Sequence, residues 1–120
     1  MISYSIALLL TLGIECLVVA IFKLVVDKVH VRSASLQSKP RINFLQWMTV
    51  AVGVNVLSHP LAWTAVSTDF LSFYWAELFV IGIEAAIYRL LLIDSNSKAI
   101  AISLAANLAS MLVGFAIRYI

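Results

Sequence analysis

Trp75-Ala-Glu-Leu-Phe-Val-Ile-Gly-Ile-Glu-Ala-Ala-Ile-Tyr-Arg89 decides how this chain is read. The stretch is apolar enough for hydrocarbon, yet it carries two carboxylates, Glu77 and Glu84. Two helical turns separate them, about 10 Å, so both leave one helix face without sharing a proton. A glutamate among hydrocarbon is expensive, and here one helix face carries two. The remainder of the chain reads as the means of hiding that face.

Composition agrees. Of 120 residues, 63% are hydrophobic and 12% charged, where soluble chains have about 45–50% and about 25%. Mean hydropathy is +1.05. The chain is expected to be one integral membrane domain, 1–120. No basic run suggests a nucleic-acid surface. Cys16, the single cysteine, lies inside an apolar run and reads as a small buried hydrophobe.

Four apolar runs approach the roughly 20 residues that a helix needs to cross a bilayer. They cover about 4–26, 44–65, 70–93 and 99–118. The first is too long for a signal-peptide core and no basic residue precedes it, so it is expected to be retained. The second and third connections are short, Ser67-Thr-Asp69 and Asp94-Ser-Asn-Ser-Lys98. Short connections make neighbouring helices antiparallel. The expected fold is an all-α, antiparallel four-helix membrane bundle.

Orientation follows from the basic residues. Lys23, Lys28, Arg32, Lys39 and Arg41 fall in or beside the first connection, Arg89 and Lys98 beside the third, and only Arg118 on the opposite side. The positive-inside rule then puts loop 27–43 in the cytoplasm and both termini outside, in a cell (inner/plasma) membrane. Aromatic residues mark the same boundaries: Trp63, Phe70, Phe73, Tyr74 and Trp75 outside, and Phe44, Trp47 and Tyr88 toward the cytoplasm. His30 reads as an ordinary loop histidine. Arg89, at the membrane edge, reads as a topological charge.

Three of the six acidic residues, Glu15, Glu77 and Glu84, lie within spans. Each would oppose insertion by about 2.5–3.5 kcal/mol if charged and facing lipid. Such groups face the bundle interior, pair, or hold a proton. Counting rise along each span sorts the polar groups by depth. Glu15, Asn55, Glu84 and Asn107 form a central layer, with His59 and Glu77 nearer the outer surface. Asn55 and His59 share a face of span two, and Thr11 sits one turn from Glu15. Ser103, Asn107, Ser110 and Gly114 form a stripe on span four whose small residues permit close approach. Pro60 either opens the Val56 carbonyl toward the polar layer or marks the last turn of span two.

Two resemblances bear on these residues. In size, and in Tyr4, Glu15 and Lys23 around the first span, the chain looks like the small multidrug resistance transporters. It departs in its strong charge bias, its long first loop and the two carboxylates of span three, so this is an analogy of size. Asn55-Val-Leu-Ser-His-Pro-Leu-Ala-Trp63, Glu77 with Glu84-Ala-Ala-Ile-Tyr88, and Ala106-Asn-Leu-Ala-Ser110 with Gly114 are a closer match. They resemble a recurrent type of small four-span bacterial membrane protein over the last three spans. The resemblance implies a polar site inside a bundle and brings no activity with it.

The expected function is proton- or cation-linked handling of a solute or ion. Glu15 and Glu84 are central to it, with Glu77 and His59 at the outer entrance and Asn55, Asn107, Ser103 and Ser110 as polar support. One bundle is small for a transport path, which calls for a homodimer or a larger membrane complex. The alternative is a non-catalytic accessory or assembly subunit whose polar layer fixes packing. An enzyme is not expected, since there is no His-Glu-x-x-His, adjacent Glu-Glu or Gly-x-Ser-x-Gly. No cofactor is expected; a His/carboxylate cation site from His59, Glu77 and Glu84 stays open.

The topology is testable in a Cys16→Ser background. A membrane-impermeant thiol reagent applied to intact cells should label Ser67→Cys and leave Ser33→Cys and Ser95→Cys unlabelled. The reverse pattern would invert the assigned orientation.

Overall fold

The computed structural model describes residues 4–30 and 42–118, which form four α-helices and no strand. They are α1 (Tyr4–His30), α2 (Phe44–Ser67), α3 (Phe73–Leu91) and α4 (Asn96–Arg118). Each helix packs on its neighbour in sequence, and α1 closes the ring against α4. Three helices, α1, α2 and α4, are long and apolar enough to cross a membrane. In α3, the 19 residues carry Glu77, Glu84 and Arg89. Residues 31–41, with Arg32, Lys39, Pro40 and Arg41, lie outside the described residues, as do both chain ends; the topology read from them is untouched by the structure.

Polar chemistry at the helix ends sets boundaries that hydropathy alone misplaces. The first helix outruns its apolar stretch and reaches His30. Lys23 and Asp27, one turn apart, make a 2.6 Å ion pair that holds the turn where hydropathy falls. Lys23 does not belong to the connection. It is 5% exposed, with its ammonium 5.3 Å from the Trp47 ring centroid, so its stem packs between α1 and α2.

A capping box starts α2. Asn43 Oδ1 accepts from the Gln46 amide at 2.8 Å, and Gln46 Oε1 accepts from the Asn43 amide at 3.0 Å. Pro60 lies inside the helix, which continues to Ser67, so it does not mark the last turn. A Schellman motif ends α2: the Phe70 amide donates to Ala65 O and the Asp69 amide to Val66 O. Asp69 takes the left-handed position at φ 55°, which aspartate tolerates better than most residues. Phe70 and Leu71 are consumed by this turn, which is why α3 begins at Phe73 rather than at 70.

The α3–α4 turn is shorter still. Arg89 Nε donates to Asn96 Oδ1 at 2.6 Å and its Nη1 to the Ile93 carbonyl at 3.3 Å. Ser95 receives the Ala99 amide on its carbonyl at 3.0 Å. The helix therefore starts within the polar sequence, at Asn96, before its apolar run begins.

Apolar packing occupies both flanks of the interior. One cluster joins Val19, Trp47, Ala51, Val54, Tyr88, Leu92, Ile93, Ala99 and Ile102. Phe22 stacks on Trp47 at 6.3 Å between centroids. A smaller cluster, Ala62, Ala76 and Val80, lies between α2 and α3 toward the other end. Between these levels the interior is polar: Glu15, Asn55, Ser58, Glu84, Ser103 and Asn107 are all buried. The outer surface is the reverse, with Leu9 67%, Leu45 73% and Leu57 63% exposed.

Two substitutions test this packing. Asn43→Ala should cost about 0.5–2 kcal/mol through loss of the cap. Ala51→Leu, at a site with no exposed surface, should cost about 1–3 kcal/mol through overpacking. Chemical denaturation in detergent measures both, and an unchanged midpoint for Ala51→Leu would contradict the α2 contact.

Candidate functional site

All four helices contribute to one polar cluster. Glu15 comes from α1, Ser58 and His59 from α2, Glu84 from α3, and Ser103, Asn107 and Ser110 from α4. In α2, Trp47, Ala51, Val54, Asn55, Ser58 and Ala62 are the buried residues at helical spacing, so Ser58 faces the interior and His59 sits at its edge. In α3 the buried set is Ala76, Val80, Glu84, Ala85 and Tyr88. That stripe carries Glu84 inward and leaves Glu77 half-buried.

Glu84 is held from both sides. Ser58 Oγ donates to its Oε1 at 3.0 Å. Asn107 Nδ2 and Ser103 Oγ reach its Oε2, the hydroxyl at 3.2 Å. Glu15 is held less completely: Ser110 Oγ lies 2.8 Å from its Oε1, and His59 Nε2 is 3.2 Å from the same oxygen. His59 Nε2 also stands 3.9 Å from Glu84 Oε1. One imidazole thus bridges two carboxyls that have no exposed surface. Glu15 Oε2, Asn55 Oδ1 and Asn107 Oδ1 are buried with no hydrogen-bond partner among the described residues.

Two serines sit between acceptors of different kinds. Ser103 Oγ is 2.9 Å from the Ile81 carbonyl as well as 3.2 Å from Glu84. Ser110 Oγ is 2.9 Å from the Asn107 carbonyl as well as 2.8 Å from Glu15. A hydroxyl has one proton to donate and can accept in return. Beside an ionised carboxylate it donates to the carboxylate. Beside a protonated one it accepts from the acid and donates to the carbonyl. Both protonation states of each glutamate are therefore hydrogen-bonded with only a hydroxyl rotation between them.

A cleft of about 610 Å³ opens at the end of the bundle away from the larger apolar cluster. Thr11, His59, Glu77 and Ser110 supply its polar lining, and Leu10, Ile14, Trp63 and Phe115 are among its apolar walls. The cleft meets the cluster at His59 and Ser110, whose side chains both touch Glu15.

The sequence-derived groups are not all brought together. Glu15, Glu84, His59, Asn107, Ser103 and Ser110 form the cluster. Asn55 is buried but donates to the Ala51 carbonyl of its own helix at 2.9 Å, without a contact to the carboxylates. Glu77 shares the cleft with His59, while the imidazole pairs with Glu15 and Glu84. The cause is the direction of the Cα–Cβ bond, which leans toward a helix N-terminus. His59 leans toward the start of α2, deeper into the bundle, and Glu77 toward the start of α3, at the cleft end. Gly114 lines the cleft, and a methyl group there would meet nothing within 4 Å; it widens the cleft rather than permitting close helix contact. Ser58 is the cluster side chain that sequence reasoning did not single out. Its signal was the spacing Ala51, Ser58, Ala62, a small-residue stripe at helical period.

Neither family models, curated proteins nor solved structures match this chain. Its chemistry must be read from its own geometry.

The Glu84 contacts predict measurable coupling. A double-mutant cycle with Glu84→Gln and Ser58→Ala should give an interaction energy of about 0.5–3 kcal/mol in unfolding experiments. A cycle pairing Glu84→Gln with Thr49→Ala, whose hydroxyl bonds Leu45 O of its own helix, should be additive within about 0.5 kcal/mol.

Proposed function

We propose that the chain is an integral membrane protein that handles protons or cations through the Glu15–His59–Glu84 cluster. On this reading the four helices are an antiparallel bundle in a cell membrane, with both termini outside and loop 27–43 cytoplasmic. The observation that carries the proposal is that the cleft ends on an imidazole in contact with two wholly buried carboxyls.

Electrostatics supports it. Two carboxylates and one neutral imidazole carry a net charge of −2, which two protons or one dication would cancel, and uncompensated charge in a buried interior is costly. The basic side chain in contact with both is His59, and Lys23 is already paired with Asp27. The site must therefore take up positive charge from outside itself. The serine arrangement lets either carboxyl change protonation state with its hydrogen bonds kept, and the cleft supplies a route on one side. Glu77, half-buried on the cleft wall, attracts the incoming cation.

The inverted surface supports the membrane part of the reading. A soluble bundle would bury its leucines and expose its glutamates; this one exposes Leu9, Leu45 and Leu57 and buries Glu15 and Glu84. Opposite the cleft, the Trp47–Tyr88–Ile102 packing closes the interior. A path through the bundle would need that packing to part, or a second copy to complete it; a homodimer or larger membrane complex suits this role.

Glu84 also fits a second reading, an accessory or assembly subunit, because its three donors from α2 and α4 would fix helix packing without any flux. Reconstituted vesicles separate the two. Glu84→Gln should lower pH-linked flux at least about tenfold with the helical spectrum intact. Unchanged flux and pH dependence would sink the transport reading, and loss of a co-purifying chain in the absence of any flux would establish the second.

A further inference from the structure

The cluster has the donors of a metal site. Glu15, His59 and Glu84 each offer one ligand atom, and these atoms all lie within 4.8 Å of one another. Two of the separations are 3.2 and 3.9 Å. Around a tetrahedral first-row ion with bonds of about 2.0–2.2 Å, neighbouring donors stand about 3.4 Å apart. The two separations from His59 lie within about half an ångström of that spacing, and the carboxylate oxygens, no more than 4.8 Å apart, close the rest by side-chain rotation.

We propose that Glu15, His59 and Glu84 chelate a divalent first-row transition-metal ion that arrives through the cleft. The inference rests on the reading that this site handles cations, and it names the class of cation.

Four observations carry it. First, two carboxylates and a neutral imidazole around a dication sum to zero charge, which removes the cost of burying the acids. Second, the fully buried Glu15 has an oxygen, Oε2, with no partner among the described residues, although its other oxygen contacts both His59 and Ser110. Rotation of that carboxyl presents a free lone pair to an ion at the cluster. Third, the outer support of a metal site is in place. Ser58, Ser103 and Asn107 orient Glu84, and Ser110 orients Glu15, as second-shell donors do for ligating carboxylates. Fourth, three protein ligands leave a coordination position open, and the cleft reaches the cluster at His59.

The donor set also selects the ion. An imidazole nitrogen suits zinc, iron, nickel and copper rather than magnesium. Calcium takes six to eight oxygens, about twice or more the number of protein donors offered here, and magnesium demands a near-octahedral oxygen shell. Ligands must be deprotonated to bind, so loading the ion expels whatever protons the carboxyls hold. Metal uptake and proton release are then two sides of one exchange at the same groups.

Binding to the purified full-length chain tests this. The protein has two histidines, and a His30→Gln background leaves His59 as the sole imidazole. Titration with Co²⁺ should give one ion per chain with visible ligand-field absorption, displaced by Zn²⁺ and indifferent to excess Mg²⁺ or Ca²⁺. Glu15→Gln, His59→Gln and Glu84→Gln should each weaken binding about 100-fold or more, beyond the roughly 10–100-fold expected for loss of an outer-shell group. Asp69→Asn, a carboxylate in the α2–α3 turn, should bind as the parent does. Absence of stoichiometric binding, or binding that survives all three ligand substitutions, overturns the proposal.

Should a ligand variant fail to fold, the His30→Gln protein itself decides. Loaded with Cu²⁺, it should show one directly coordinated imidazole nitrogen by pulsed electron paramagnetic resonance; no such nitrogen overturns the proposal. Metal binding without flux in vesicles would leave this inference standing and remove the transport reading. Proton-linked flux in a chain that binds no metal would do the opposite.

Discussion

The constraint on which this structure depends is electroneutrality in a buried interior. Glu15 and Glu84 have no exposed surface, and the positive partner within reach of both is a histidine that can carry at most one charge. Hydrogen bonds from Ser58, Ser103, Asn107 and Ser110 lower the cost of holding these groups away from water. They cannot cancel a net charge. Whatever the protein does, it does with a cluster that must gain protons or a cation to be stable where it is.

Much of the remaining architecture can be understood as support for that cluster. The packing around Trp47, Tyr88 and Ile102 closes one end of the interior, so the polar groups are approached from the other. Lys23 lies on the closed side and is neutralised locally by Asp27, which keeps its charge from competing for the glutamates. The Schellman turn at Asp69 and the Arg89–Asn96 contact hold α2, α3 and α4 in register. Register matters here, since a shift of one helical turn, about 5.4 Å, would separate Glu84 from its donors on both neighbours.

The site also illustrates how a polar network can be satisfied in more than one state. A carboxylate caged only by amide donors would be locked in its ionised form. Ser103 and Ser110 instead stand between a carboxyl and a backbone carbonyl, so each hydroxyl can reverse its role. On the proposed reading this is what allows Glu15 and Glu84 to exchange a proton while each keeps its hydrogen bond to a serine.

The number of helices and the presence of buried carboxylates were legible in the chain itself. Apolar runs of about 20 residues are too long for strands and suit helices, which pair their backbone polar groups within the segment. Glu15, Glu84, Asn107, Ser103 and Ser110 announced themselves as polar residues in apolar runs, and depth counting put Glu84, Glu15, Asn107 and also Asn55 at one level. Helix ends were less legible: hydropathy stops at Val26 and starts again at Ala99, whereas the Lys23–Asp27 pair and Ser95 carry the helices through polar sequence. The sequence by itself therefore determined an all-helical chain with acids that had to be hidden. Only the tertiary structure decided which groups meet, sending His59 to Glu15 and Glu84 instead of Glu77, turning Ser58 inward, and leaving Asn55 to its own helix. The physical reason is that depth along a helix is a one-dimensional quantity. Contact depends also on the rotation of each helix and on the lean of each side chain toward its own N-terminus, and these are set where four helices pack against one another.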